Sequence, residues 1–235
     1  MMGPVMPDML RLGSSARGEV MLPGEIGLGD SLVPLLEPGV LTLDPGTMLG
    51  VATKAMAAAP VGMTSVGVAS LQHGEGATTV ARALAVCLAQ SFGKRVVLVE
   101  ANQRSACLRR VYGLPDGPGL GDVLARRVSL GGALQMAGEH RQIVVLPASV
   151  RETGAMTAAG LREVLLELLG YVEAAVVDLA PVLPYRDTAG VCSALDGVAL
   201  VMQGGRASVA DGRAGVAKVV EAGGVVLGGV LNRER

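Results

Sequence analysis

The chain has 235 residues and balances 20 Lys and Arg against 21 Asp and Glu, so a net charge of −1 offers no global field for nucleic acid. Half of its residues are hydrophobic, yet it holds one Phe and no Trp, so the core must be built from Val, Leu, Ala and Met, as suits a parallel sheet covered by helices. Two histidines, His73 and His140, and three scattered cysteines, Cys87, Cys107 and Cys192, have no zinc-like spacing; no structural metal is expected, and free buried thiols in a reducing cytoplasm are.

Residues 1–60 are punctuated by Pro4, Pro7, Pro23, Pro34, Pro38, Pro45 and Pro60 and predict an irregular arm with one short helix over 47–58. The arm is too apolar for a disordered linker and is expected to pack on the domain or on a partner. No basic segment leads into an unbroken apolar core, so no signal peptide is expected. The uncharged stretch 55–74 is broken by Pro60, Gly62 and Gly67 and by Thr64, Ser65, Ser70, Gln72 and His73, which argues against a membrane span.

Residues 61–235 read as one domain. Residues 65–69 predict a strand that feeds a glycine loop, and 78–92 a helix with Val80, Leu84, Cys87 and Leu88 on one face. A strand over 95–99 and a helix over 105–112 follow, then a strand over 142–146 and a helix carrying Leu161, Val164, Leu165 and Leu168. Strands over 174–179, 198–202 and 225–231 complete the series, with the last helix over 208–222. This alternation implies crossover connections and an α/β fold whose mainly parallel sheet has six or more strands flanked by helices. In such sheets ligands bind at the carboxyl ends of the strands, where the glycine loop falls.

The loop runs Gln72-His73-Gly74-Glu75-Gly76-Ala77-Thr78-Thr79. A phosphate-binding loop ends in G-K-[ST] because backbone N–H groups cradle the phosphates, lysine reaches the β and γ oxygens, and the hydroxyl holds Mg²⁺. Here Gly74, Gly76 and Thr78 stand in place, but Ala77 occupies the lysine position and donates only its backbone N–H. The loop reads either as an anion site at a helix N-terminus or as a strand–helix turn kept for packing. Three more strand ends carry polar groups: Glu100-Ala101-Asn102-Gln103-Arg104, Asp178-Leu179-Ala180-Pro181, and Gly228-Gly229-Val230-Leu231-Asn232-Arg233. On the residues alone Asp178 reads as a buried acid satisfied by backbone or Thr78, and Asn232 as a strand-ending turn residue. His73 reads as a solvent-facing loop residue, and Arg104, Arg109 and Arg110 as a solvated face.

Taken in order, these segments resemble the bacterial tyrosine autokinases of capsule and exopolysaccharide systems, a deviant-Walker branch of the P-loop ATPases. That family reads S-x-x-P-G-E-G-K-[ST]-T, then D-x-D-x-R, D-x-P-P and G-x-V-L-N, each after a hydrophobic run. Gly119-Leu120-Gly121-Asp122-Val123-Leu124, Val145-Leu146-Pro147-Ala148 and Pro181-Val182-Leu183 with Asp187 match its connecting segments, and the similarity runs over about 62–233. The resemblance implies ATP or ADP with Mg²⁺ as cofactor. It places Gly74, Glu75, Gly76, Ala77, Thr78 and Thr79 around the phosphates, Thr78, Asp178 and Glu100 by the metal, and Asn232 at the adenine.

The departures fall on the same site. Besides Ala77, Gln72 stands at the signature lysine of partitioning relatives, and Glu100 and Asn102 replace the paired aspartates. The chain ends Leu231-Asn232-Arg233-Glu234-Arg235 without a tyrosine cluster, and the stretch 47–54 lacks the Glu and two Arg of the family's ring-forming helix. Tyr112, Tyr171 and Tyr185 read as structural. The expectation is a cytoplasmic regulatory component of exopolysaccharide biosynthesis and export with a degraded ATP site and no confident catalytic residue. Its partners would be a polysaccharide chain-length-determinant membrane protein, which would recruit it to the inner membrane, or an active paralogue, or further copies of itself. The alternative is an active ATPase or tyrosine kinase in which Lys94, Arg95 or Arg104 supplies the missing charge. A partitioning-type switch is less favoured, for want of a basic face or an amphipathic C-terminal helix.

Overall fold

The computed structural model describes residues 64–137, 143–150 and 156–232. The arm expected over 1–60, its helix over 47–58, His140 and Arg233 lie outside the described residues. In chain order the elements are β1 (Ser65–Ser70), α1 (Ala77–Gln90), β2 (Val96–Glu100), a 3-10 turn at Gln103–Ser105, α2 (Leu108–Val111), α3 (Leu120–Leu124) and α4 (Leu130–Ala133). Then come β3 (Gln135–Met136), β4 (Ile143–Leu146), α5 (Ala158–Leu169), β5 (Ala174–Asp178), α6 (Arg186–Cys192), β6 (Gly197–Gln203), α7 (Val209–Glu221) and β7 (Val226–Asn232).

The strands form one seven-stranded sheet in the order β3-β4-β2-β5-β1-β6-β7, parallel except where β3 runs against β4. All six expected strands are present. The seventh, β3, spans two residues and is too short to show any period. Every residue of β1, β2 and β4 is buried; the apolar runs over 96–99 and Ile143–Leu146 suit a sheet covered on both faces, and β1 is buried although it includes Ser65, Gly67 and Ser70.

One core, with Leu84, Leu88, Leu98 and Leu108, lies under α1; the other, with Leu71, Leu120, Leu161, Leu168 and Leu200, lies on the opposite face. Helix α5 buries the expected stripe of Leu161, Val164, Leu165 and Leu168. Helix α1 departs from expectation: it buries Ala77 and every residue from Val80 to Ala89 rather than one face. Its many alanines let neighbours approach on all sides, and even Arg82 is buried, its guanidinium 5.2 Å from the centre of the Tyr112 ring. Burial of a thiol holds for Cys87 and Cys192, while Cys107 is half-buried; all three are free.

What positions the site is register. Val68 of β1 and Glu100 of β2 both pair with Asp178 of β5, so three central strands end side by side beneath the glycine loop.

Candidate functional site

The loop leaves β1 and turns through two left-handed glycines, Gly74 at φ 79° and Gly76 at φ 94°. These are conformations that a Cβ disfavours, and a side chain at Gly76 would also run into the Asn232 amide. Gly76 begins the 14-residue α1, which carries no side-chain cap and no acid in its first turn. Its first N–H groups and the positive end of its dipole are thus left for an anion.

Each residue singled out in the sequence has a definite place. Glu75 is fully buried; Gln72 N–H donates to its Oε2 at 2.7 Å, and Oε1 has no partner. Asn232 Nδ2 donates to the Glu75 carbonyl at 3.0 Å, so β7 pins the loop. Ala77 is buried and brings a methyl group where the phosphate cation would stand. Thr78 Oγ1 donates to Asp178 Oδ2 at 2.8 Å, while Asp178 Oδ1 is buried without a partner. Burial raises the Asp178 carboxyl to about 7; the Thr78 hydrogen bond opposes this and nearby Glu100 adds to it.

If a magnesium ion is bound, the Thr78 hydroxyl and the orphaned Asp178 oxygen are the groups that would hold it. Among the described residues no group of three His, Cys, Asp or Glu side chains gathers to form a metal cage.

Glu100 lies beside Asp178, but its carboxylate is already occupied. Oε1 accepts from the N–H groups of Cys107 at 2.5 Å and Leu108 at 2.8 Å, and Oε2 from that of Ala148 at 2.9 Å. It ties the end of β2 to the start of α2 and the end of β4. Asn102 is buried with its Oδ1 unpartnered.

The basic residues separate by position. Lys94 and Arg95 precede β2 and pair with Glu173 at 3.4 and 3.5 Å, at the end of the sheet opposite the loop, so neither can reach a phosphate there. Arg104 lies 2.9 Å from Asp187 and 4.3 Å over the Tyr185 ring. Arg109 is no solvated side chain: it donates to the carbonyls of Gly117 and Pro118, each at 2.7 Å, and closes the segment before α3. His73 is exposed as expected, with Nε2 2.9 Å from the Tyr185 hydroxyl and the two rings edge to face.

Two neighbours of the loop escaped the sequence reading. Tyr185 is one: the sequence marks it only as structural, and it stands against His73 of the loop. The other is Arg206, whose Nη1 lies 3.6 Å from where a Cβ on Gly74 would stand. The only signal for it was the Gly204-Gly205 pair before it. A cavity of about 660 Å³ opens elsewhere, along α7 and β7, and no loop residue lines it.

No family model matches the sequence. Over 175 residues the chain is 26% identical to the tyrosine-protein kinase YwqD of Bacillus subtilis, covering 74% of this chain and 73% of that protein. In sequence and in fold, the chain resembles bacterial tyrosine kinases. The kinase domain of the Escherichia coli tyrosine kinase ETK superposes on the kinase-like chain with a TM-score of 0.72 at 20% identity, over 81% of this chain and 76% of that one. The cell division ATPase MinD of Pyrococcus furiosus follows at 0.62 and 26% identity, over 72% and 71% of the two chains. The fold of the kinase-like chain is that of the P-loop ATPases, with the glycine loop at the usual place beside the central strand.

Proposed function

We propose that the chain is a kinase-like regulatory component of exopolysaccharide or capsule biosynthesis and export, one that holds Mg·ATP or Mg·ADP weakly and does not transfer the phosphoryl group. The observation that carries this is Ala77, a buried methyl between Gly76 and Thr78 where the transferring phosphate needs a positioned cation. The commitment of both Glu100 oxygens to backbone N–H groups supports it, because the second acidic position then holds the fold rather than a metal shell. The surviving Thr78–Asp178 pair and the uncapped N-terminus of α1 favour retained binding.

In this reading residues 1–60 form an arm and 61–235 the kinase-like domain. The protein works in the cytoplasm, docked on a polysaccharide chain-length-determinant membrane protein at the inner membrane or on an active paralogue, or assembled with its own copies. No helix among the described residues is long and apolar enough to cross a membrane.

The test is calorimetric titration of Mg·ATP and Mg·ADP into the native chain and Ala77→Lys, with a phosphotyrosine assay on both. A charged hydrogen bond contributes about 1.5–3 kcal/mol, so the variant should bind about 10–100-fold more tightly. The native chain should give no phosphotyrosine. Tyrosine phosphorylation by the native chain would overturn the regulatory reading in favour of an active kinase.

A further inference from the structure

We propose that Arg206 supplies binding charge for the nucleotide's phosphates over Gly74, from the turn after β6, without restoring at the start of α1 the cation that phosphoryl transfer needs. This rests on the nucleotide-binding reading and specifies how the site works without its lysine.

The first support is position. Gly74 is exposed, lacks a side chain and has φ 79°, and the Arg206 guanidinium stands 3.6 Å from the space a Cβ there would fill. A cation is thus held against the outer lip of the loop. Lysine in the usual place would rise from the start of α1, whereas the arginine comes from a different element, the turn after β6.

The second is the way that position is held. Gly204 N–H donates to the Asn232 carbonyl at 2.7 Å, and Asn232 Nδ2 donates to the Glu75 carbonyl at 3.0 Å. One residue at the end of β7 therefore ties the turn to the loop, by its backbone on one side and its side chain on the other. Within the turn, Arg206 and Ala207 N–H groups both donate to the Gln203 carbonyl, at 3.2 and 3.0 Å. Beyond it, Ser208 and Asp211 form a reciprocal cap at the start of α7, with Oγ to Oδ2 at 2.6 Å. The arginine backbone is anchored on both sides while its side chain stays in solvent.

The third is availability. Arg206 contacts only the neutral Gln203 Oε1, at 3.5 Å, and has no carboxylate partner among the described residues. Arg104 is engaged by Asp187, and Lys94 and Arg95 by Glu173 at the far end of the sheet. The site also calls for positive charge. Glu75 is buried inside the loop with an unpartnered oxygen, so an arriving polyphosphate meets a buried acid there. Backbone dipoles offset only part of that. A guanidinium can take two phosphate oxygens at once through its planar fork.

The experiment is calorimetric titration of Mg·ADP and Mg·ATP into the full chain, with Arg206→Gln, Arg206→Lys and the double variant Ala77→Lys/Arg206→Gln. Arg126→Gln, which removes the same charge from an exposed pair with Glu163, controls for net charge. Arg206→Gln should weaken both nucleotides by about 10–100-fold and flatten the salt dependence. Arg206→Lys should keep most of the affinity, the double variant should regain it, and Arg126→Gln should behave as native. Unchanged binding by Arg206→Gln would overturn the assignment while leaving nucleotide binding intact. Equal losses in Arg206→Gln and Arg206→Lys without rescue by lysine at 77 would make the turn structural and overturn it as well. No binding by the native chain would remove both this assignment and the reading beneath it.

Discussion

At the residue scale the instructive pair is Glu100 and Asp178, two buried acids in register on neighbouring strands with opposite circumstances. Glu100 receives three backbone N–H groups, whereas Asp178 receives one hydroxyl and keeps a bare oxygen. The first is a structural anion and the second a position that still wants a partner. Glu100→Gln puts an amide NH₂ against N–H donors on one side and should lower the unfolding free energy by about 1.5–3 kcal/mol. Urea denaturation reads this directly. A variant of native stability whose nucleotide binding has lost its magnesium dependence would return Glu100 to the metal shell.

At the scale of elements, the glycine loop and α1 act as a unit. Gly76 is both the left-handed residue that starts the helix and the place where the Asn232 amide lies against the loop. Gly76→Ala meets two costs, a disfavoured φ and displacement of the amide that holds the Glu75 carbonyl. It should destabilise the chain by about 1–3 kcal/mol and abolish nucleotide binding even in the Ala77→Lys background. If Ala77→Lys/Gly76→Ala bound as tightly as Ala77→Lys, the loop would be more adaptable than these contacts allow. The same unit explains why α1 is buried around its whole circumference. It runs beneath the sheet's central strands with alanines on the faces that an ordinary surface helix turns to water.

For the whole molecule, the sign of the pH dependence follows from which carboxyls move. Asp178 titrates at about 7 in the folded chain, against its ordinary 3.8. Between about pH 4 and 7 the folded state therefore holds a proton that the unfolded chain has released, and stability falls as pH rises through that window. Asp122, held low first by the Ser149 hydroxyl, and Glu173, held low first by the Arg95 N–H, have the opposite sign and lose their contribution as pH falls through the acid range. Urea midpoints of the metal-free protein should decline from about pH 4.5 to 7.5, and Asp178→Asn should remove that slope. A native profile flat across this range would mean that Asp178 is ionised in the folded state.

Strand–helix alternation, a parallel sheet, the place of the glycine loop and the alanine at its lysine position are all legible in the residue order. Those features are written in consecutive residues: buried parallel strands must be apolar runs, and a phosphate loop must carry its glycines at fixed spacing. The short pieces β3, α3, α4 and α6 were not legible, because two to seven residues show no reliable period. The folded chain alone reveals that Glu100 serves three amides, that Lys94 and Arg95 lie at the far end of the sheet from the site, and that Asn232 and Arg206 close on a loop well over a hundred residues earlier in the chain. The sheet order brings those groups together, and contacts across a crossover leave no local pattern in the chain that makes them.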